Sequence, residues 1–216
     1  MDAVPQTATR TRKPRGQGAS RHGEILIAAK RLFLDNGVDH VTMRRIAASV
    51  GVSATALYVY FPDKEAILRA IAAESFLALI DAHQKSMRPH RSASDNLRAG
   101  LQTYVAFALA HPDEYRLVFL RTSRRDSFDP CNDVPEGDIG FGLLVASVQA
   151  MIDAREFPDR PAMLMAEAIW ACMHGLVALL LTHAGAVESA PDDLVCQVVD
   201  MAIAGLRTAP HVTLVK

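Results

Sequence analysis

The stretch "SVGVSATALYVYFPDKEAI", residues 49 to 67, decides the fold of this chain. Gly51 supplies a tight turn, and Ser53 stands at the N-cap position of the short helical segment that follows. Leu57 and Phe61 lie four residues apart, so they share the buried face of that segment, and Pro62 ends it. The preceding "MRRIAASV", residues 43 to 50, is predicted to form another short helix. Two short helices joined by a short turn that contains glycine form a helix-turn-helix unit.

The outward side of the second short helix carries residue types that suit a DNA groove. The major groove admits one helix, and small side chains such as Thr55 and Ala56 let its backbone approach the base edges. Tyr58 and Tyr60 have the length and the hydroxyl group to reach phosphate oxygens. The alternative is that these two tyrosines only pack at the edge of the domain.

Neighbouring residues extend this surface. Thr42 stands at the N-cap of the first short helix, where its hydroxyl can also donate to a phosphate, and Arg44 lies on the outer face of that helix. Lys64 falls in the first turn of the next helix, where free N–H groups and the helix dipole favour an anion. We therefore predict DNA contacts from Thr42, Arg44, Ser53, Ala54, Thr55, Ala56, Tyr58, Tyr60 and Lys64.

The charge of the chain is unevenly distributed. The 216 residues carry a formal net charge of -1, but the first 64 hold ten Lys or Arg against five acidic residues, and the rest hold 13 against 19. This asymmetry indicates that the N-terminal end faces a polyanion. The charge asymmetry by itself is a weak indication of nucleic-acid binding, because many chains can be divided at a point that gives the two parts different net charges. A protein that packages DNA would instead spread its basic charge over the whole surface.

The remaining pattern is that of an all-α protein, because β-branched and aromatic residues are sparse beside Ala, Leu, Arg, Met and Glu. The polar, basic segment at 1–20 is predicted to be a flexible arm, which lies either in a minor groove or free in solvent.

The helix-turn-helix domain is assigned to 21–68, and a ligand-binding and dimerisation domain to 69–216. Helices are predicted at 21–35, 63–87, 93–110, 112–122, 138–156, 159–184 and 191–208, with a long charged loop at 123–137.

Several classes of protein and site are disfavoured. Cys131, Cys172 and Cys196 are odd in number and widely spaced, which argues against a disulfide framework and a zinc site and fits a reducing cytoplasm. The sequence lacks the common catalytic and nucleotide-binding motifs, so we expect neither an enzyme nor a cofactor. The uncharged run Ala168–Val187 is long enough to span a membrane, but it contains two histidines and lacks basic flanks. A buried bundle helix is the expected role, and no membrane partner is predicted.

A family resemblance reinforces the interpretation of the N-terminal part. The run "ILIAAKRLFLDNGVDHVTMRRIAASVGVSATALYVYFPDKEAILRAI", residues 25 to 71, resembles the DNA-binding domain of TetR-family transcriptional regulators. The resemblance implies a homodimer that presents two helix-turn-helix units to double-stranded DNA, and a C-terminal helical bundle that binds an inducer. One departure is "ATA" at 54–56, where many relatives have a Gly-Thr pair and often a lysine. The operator of a relative therefore cannot be assumed here.

The C-terminal part carries a second resemblance. "HPDEYRLVFL" at 111–120 and "IWACMHGLVALLL" at 169–181 are similar to the C-terminal domain of one TetR subgroup that has a Trp, a His and a Gly on a late helix. Trp170, His174 and Gly175 would be those residues, and the four-residue spacing of the first two puts them on one side. A histidine packed in the core, without a ligand, is the alternative for His174.

The larger domain has more apolar surface than a support for the DNA-binding domain requires, which indicates a pocket and a dimer interface. The apolar, soft side chains suit a small hydrophobic effector, although each could be plain core. We predict a repressor that binds a palindromic operator and is released by the effector; the alternative is a ligand-independent or activating regulator. The candidate ligand contacts are Tyr104, Phe107, Phe119, Met151, Met163, Trp170, Cys172 and His174, and the candidate dimer contacts are Leu176, Leu179, Leu180, Val198, Met201 and Leu206.

Overall fold

The computed structural model describes residues 18–120, 133–183, 185 and 187–208. Most of the predicted arm and most of the predicted loop, including Cys131, lie outside these residues. Within the described residues the chain forms nine α-helices and one short 3-10 helix, and no strand, so the all-α prediction is confirmed. The helices are α1 (Gly18–Asn36), α2 (Met43–Ser49), α3 (Ala54–Tyr60), α4 (Lys64–Ser86), α5 (Ala93–Ala110), α6 (Pro112–Phe119), α7 (Pro135–Asp153), α8 (Ala162–Thr182) and α9 (Pro191–Thr208), with the 3-10 helix at Val38–His40.

The chain divides into two compact units, an N-terminal unit that ends at Lys64 and a C-terminal unit that begins at Glu65. In the N-terminal unit α1 and α2 pack together, as do α2 and α3. Apolar side chains at helical spacing on α1 face α2, and those of α2 face α3, because each helix has one apolar face. The buried residues are Ile25, Leu26, Ala29, Phe33, Val38, Val41, Ile46, Ala47, Leu57 and Phe61.

Local side-chain chemistry fixes the ends of the short helices. The Thr42 hydroxyl accepts a hydrogen bond from the backbone N–H of Arg45 at 3.2 Å, and the Ser53 hydroxyl accepts one from Ala56 at 3.1 Å. Gly37 and Gly51 have φ of +77° and +69°, which a residue with a Cβ adopts at a cost. Both caps and the Gly51 turn lie where the sequence analysis places them, and Gly37 ends α1 with a positive φ as well.

The C-terminal unit is a helical bundle in which α5 packs against α7, α8 and α9, and α8 packs against α7 and α9. Its core combines residues from all four helices with Tyr115 of α6 and Phe157 of the connection after α7. The buried residues on α8 are Met165, Ala166, Ile169, Met173, Leu176, Val177 and Leu180. By length and composition α8 could cross a membrane, but its buried face lies in this core, in line with the predicted bundle helix.

Boundaries of four helices differ from the sequence-based expectation. Helix α1 begins at Gly18 instead of residue 21, so the last three residues of the predicted flexible arm are helical. Helix α7 begins at Pro135, three residues early, because proline suits the first turn of a helix. Helix α8 begins only after Pro161 and ends at Thr182, so it is shorter than the predicted 159–184. Helix α6 ends at Phe119, where Leu120 is the C-cap.

Candidate nucleic-acid interface and ligand cavity

The outward side of α3 forms a continuous exposed surface. Thr55, Tyr58 and Tyr60 are exposed, while Ala54 and Ala56 are half-buried. Leu57 is wholly buried on the opposite side and anchors the helix to the N-terminal unit. Thr55 and Tyr58 are thus presented together on one face, whereas Tyr60, two residues after Tyr58, projects from a different side of the helix.

Val59 also belongs to this face, and the sequence analysis missed it. Its side chain is 81% exposed, the largest exposed fraction among the large apolar residues of the described chain. The available signal was its spacing, since Val59 lies four residues after Thr55 and therefore on the same side of the helix. An exposed branched apolar side chain on a groove-reading helix can contact a thymine methyl group.

Contacts from α1 hold the turn and the end of α3 in place. The Arg21 guanidinium donates to the backbone carbonyl of Val50 at 3.2 Å and to Glu24 at 2.7 Å. The His22 ring lies 4.6 Å, centroid to centroid, from the ring of Phe61. These contacts join α1 to Val50, just before the turn, and to Phe61, just after α3. The segment that contains the turn and α3 is therefore held at both of its ends.

The predicted phosphate contacts occupy different environments. Arg44 and Thr42 are exposed, and the Thr42 hydroxyl also serves as the cap of α2. Lys64 is half-buried, and its ammonium donates to the backbone carbonyl of Val38 at 2.7 Å. An ammonium group has three N–H donors, so this bond positions Lys64 and still leaves donors for an anion. The neighbouring Arg45 is held by the side-chain carbonyl of Asn36 at 2.9 Å.

A cavity of about 260 Å³ lies within the C-terminal unit. It is lined mainly by apolar and aromatic side chains of α4, α5, α7 and α8, together with Phe119 at the end of α6. Of the eight predicted ligand residues, Tyr104, Phe119 and Trp170 line it. The lining further includes Phe76, Leu79, Ile80, His83, Leu97, Gly100, Leu101, Asp138, Phe141, Leu144, Ser147, Glu167 and Met173.

The other predicted ligand residues lie elsewhere. Phe107 lines a much smaller cavity of about 10 Å³, and Met151 is wholly buried in the core. Met163 and Cys172 are exposed on α8 instead of lining the cavity. Helical spacing alone could not separate these positions, because α8 has apolar residues on every side.

His174 is joined to the cavity wall by a chain of hydrogen bonds. Its Nδ1 lies 2.6 Å from the hydroxyl of Tyr115, which lies 2.9 Å from the hydroxyl of Tyr104 in the lining. The His174 ring also lies 5.4 Å from that of Trp170 and 5.9 Å from that of Phe119, centroid to centroid. Burial lowers the pKa of His174, which favours the neutral ring at pH 7. Sequence reasoning missed Tyr115, whose partner is 59 residues away.

His83 is a half-buried histidine of the cavity lining. Burial lowers its pKa, so the neutral ring is favoured. The ring packs directly on Gly100 of α5, where an added Cβ would come within 2.7 Å of His83 Cε1. Gly100 therefore provides the space that lets α4 and α5 approach at the cavity wall.

The structure corrects two of the predicted dimer contacts. Leu176 and Leu180 are 5% and 8% exposed and pack in the core of their own protomer, so they are not available to a partner. Leu179 and Met201 are exposed, whereas Val198 and Leu206 are partly buried against the same core. Apart from Glu167 and the terminal Thr182, the exposed residues of α8 are apolar or small, namely Met163, Leu164, Ala168, Ala171, Cys172, Gly175 and Leu179.

Among the described residues, no three His, Cys, Asp or Glu side chains come together in a way that would hold a metal ion.

Comparisons with known proteins cover both units. The family "Bacterial regulatory proteins, tetR family" matches residues 25–71, and the family "Tetracyclin repressor-like, C-terminal domain" matches residues 97–202. Both describe regulators, not enzymes. The chain is 31% identical over 129 residues to the HTH-type transcriptional activator FasR of Mycolicibacterium smegmatis, covering 55% of this chain and 59% of FasR.

Two further comparisons agree with these. The chain is 32% identical over 113 residues to the HTH-type transcriptional repressor Rv1474c of Mycobacterium tuberculosis, covering 50% of this chain and 54% of the relative. It thus spans little more than half the length of these curated relatives. A solved structure of a protein of unknown function from Rhodococcus sp. RHA1 superposes with a TM-score of 0.73 at 26% identity, over 91% of this chain and 100% of that one.

Proposed function

The chain belongs to the TetR family of DNA-binding transcriptional regulators, and we propose that it is a repressor that a small hydrophobic effector releases from DNA. In this proposal a cytoplasmic homodimer binds a palindromic operator through two copies of α3. The observation that carries it is the exposed face of α3, with Thr55, Tyr58 and Val59 side by side on a helix that is capped and braced by its neighbours.

The α3 face supplies base reading, and the surrounding residues supply backbone contacts. Thr55 offers a methyl and a hydroxyl group at the base edges, with the small side chains of Ala54 and Ala56 allowing close approach. Tyr58 and Tyr60 reach phosphates, which set the position of the helix in the groove. Ser53, Thr42, Arg44 and Lys64 complete the proposed DNA surface.

The proposed dimer forms through the exposed side of α8 together with exposed residues of α9. Leu179 and Met201 are large apolar side chains that are exposed to solvent in a single protomer. The small residues Ala168, Ala171 and Gly175 would let a second copy of α8 approach closely. In such a dimer the two α3 helices would enter successive major grooves about 34 Å apart, one turn of B-DNA.

Effector control is proposed to act through the cavity of the C-terminal unit. Four residues of α4 line it, namely Phe76, Leu79, Ile80 and His83, and the same helix begins at Lys64 in the DNA-binding surface. A ligand that binds one position of α4 better than another would shift the spacing of the α3 helices. Coupling of this kind is typically about 1–3 kcal/mol, or a 5- to 150-fold change in operator affinity.

Selection of bound sequences from a random double-stranded DNA pool tests the proposal. We expect recovered sites with two inverted half-sites whose centres lie one helical turn apart. A single unpaired half-site would contradict the dimer, and the absence of any enriched sequence at low salt would contradict specific DNA reading. Mobility-shift titrations against a scrambled site of the same length provide the control.

The alternative is an activator, or a regulator whose DNA affinity does not depend on a ligand. One matched relative is named an activator and another a repressor, so family membership leaves the direction of regulation open. The cavity favours ligand control. Transcription in vitro from a promoter that carries the selected site distinguishes the two: a repressor lowers transcript yield, and an effector restores it.

A further inference from the structure

The charged groups that line the cavity are of one sign. Asp138 of α7 and Glu167 of α8 are the acidic side chains of the lining, and the described lining contains no Lys or Arg. Both carboxylates are exposed, so they lie where the cavity opens to solvent. Neither has a hydrogen bond or an ion pair within the described part of the chain. Among the described residues, the mouth of the cavity therefore carries two negative charges and no basic side chain.

Each carboxylate lies beside an aromatic ring of the lining. Asp138 is three residues before Phe141, and Glu167 is three residues before Trp170, so each pair shares one face of its helix. The Phe141 and Trp170 rings contact each other at 6.1 Å, centroid to centroid, with an interplanar angle of 74°. Two helices thus present an aromatic pair with a carboxylate one turn before each ring.

His83, the histidine of the described lining, does not offset this charge at pH 7. Burial lowers the pKa of His83, so its ring is favoured as the neutral form at pH 7. The ring is also packed against Gly100, which restricts it to the cavity wall.

We propose that this cavity takes a compact hydrophobic monocation, an amine or quaternary ammonium with an apolar body, and discriminates against carboxylates of the same skeleton. The inference rests on the proposed function, because it specifies the chemical class of the effector. A cation over the face of Trp170 or Phe141 is attracted by the ring, and the adjacent carboxylates add to that attraction. A ligand carboxylate would meet the same two charges as repulsion. A cavity of about 260 Å³ lies below the usual range of roughly 300–1,000 Å³ for ligand pockets, which favours a small body.

The test uses the full chain and three probes that share one skeleton: 4-phenylbutylamine, 4-phenylbutanol and 4-phenylbutyrate. Trp170 is the single tryptophan of the chain and lines the cavity, so its fluorescence reports binding at this site, and titration calorimetry gives an independent affinity. An exposed ion pair changes an equilibrium by about 1.5- to 5-fold. Two attractions exchanged for two repulsions should therefore favour the amine over the carboxylate by about tenfold or more, with the alcohol between them.

A matched pair of double variants assigns the preference to the two carboxylates. Asp138→Asn with Glu167→Gln should reduce the preference for the amine to about twofold or less. Asp192→Asn with Asp193→Asn removes the same charge from exposed positions of α9 outside the lining and should leave the preference unchanged. Circular dichroism verifies that both proteins fold.

Three results would overturn the proposal: phenylbutyrate binding as tightly as the amine, an unchanged preference in the Asp138/Glu167 variant, or no amine binding at millimolar concentration. Operator binding is measured on the same preparations. A chain that binds DNA but prefers the carboxylate keeps the proposed function and refutes this inference. A chain that binds the amine without any change in operator affinity keeps this inference and refutes effector release.

Discussion

Replacement of Tyr115 by Phe tests whether the hydrogen-bond chain from His174 to Tyr104 stabilises the C-terminal unit. The Tyr115 side chain is 4% exposed, and its hydroxyl contacts both His174 Nδ1 and the Tyr104 hydroxyl. The change keeps the ring and its packing but removes both bonds at once. It therefore isolates the polar part of the interaction.

The expected loss follows from the number of bonds and their burial. A typical intramolecular hydrogen bond contributes about 0.5–1.5 kcal/mol, so two bonds give about 1–3 kcal/mol. His174 is half-buried, and water can partly replace its lost partner, which places the expectation near the middle of that range. Tyr104→Phe removes the bond that the two tyrosines share and keeps the bond between Tyr115 and His174, so it should cost about half as much.

Urea unfolding at one fixed protein concentration measures these losses, since the proposed dimer would make apparent stability depend on concentration. The double variant, with both Tyr104→Phe and Tyr115→Phe, completes a double-mutant cycle. Because the two hydroxyls share a bond, the summed cost of the single changes should exceed the cost of the double change by about 0.5–1.5 kcal/mol. If Tyr115→Phe and the unchanged protein have free energies of unfolding within about 0.3 kcal/mol of each other, the hydrogen bonds from His174 to Tyr104 do not stabilise the C-terminal unit.

The remaining predictions concern the DNA surface, the caps, the dimer and pH. Thr55→Ala should relax preference at one base position by about 1–3 kcal/mol, whereas Tyr58→Phe should weaken cognate and scrambled sites alike; equal losses on both DNAs for Thr55→Ala would defeat its base-reading role. Ser53→Ala should lower stability by about 1 kcal/mol in thermal unfolding through loss of the α3 cap, and an unchanged melting temperature would contradict this. Leu179→Glu should yield monomers in sedimentation analysis, while a dimer of undiminished affinity would place the interface elsewhere. Because burial lowers the pKa of His174 in the folded state, the unfolded chain takes up the proton first. Stability should therefore be full above about pH 6.5 and fall as the pH drops below it, less steeply in His174→Gln; equal slopes in both proteins would exclude the histidine as the cause.

The conformation of the helix-turn-helix segment was accessible from sequence because its determinants are local. A cap, a glycine turn and a four-residue apolar spacing act within about ten residues, so Thr42, Gly51 and Ser53 take the conformations that their neighbours in sequence dictate. The same reasoning placed Thr55 and Tyr58 on the outer face of α3.

The cavity and the hydrogen bonds beside it depend on contacts between residues far apart in sequence. Tyr115 and His174 meet across 59 residues, and Asp138 and Glu167 reach one cavity from two different helices. No periodicity within one helix encodes which residues of another helix lie opposite. The sequence therefore predicted a pocket in the C-terminal part but recovered only some of its lining.

The sequence alone determined an all-helical chain with a helix-turn-helix near its N-terminus, because caps, turns and amphipathic faces are short-range properties. Only the tertiary structure decided which side of α8 lies inside. Its one charged residue is Glu167, so no polar stripe distinguishes an outer face, and Leu176 and Leu179 look equivalent in sequence. Packing against α5, α7 and α9 buries the first and leaves the second exposed, because a helix that is apolar all round takes its orientation from its neighbours.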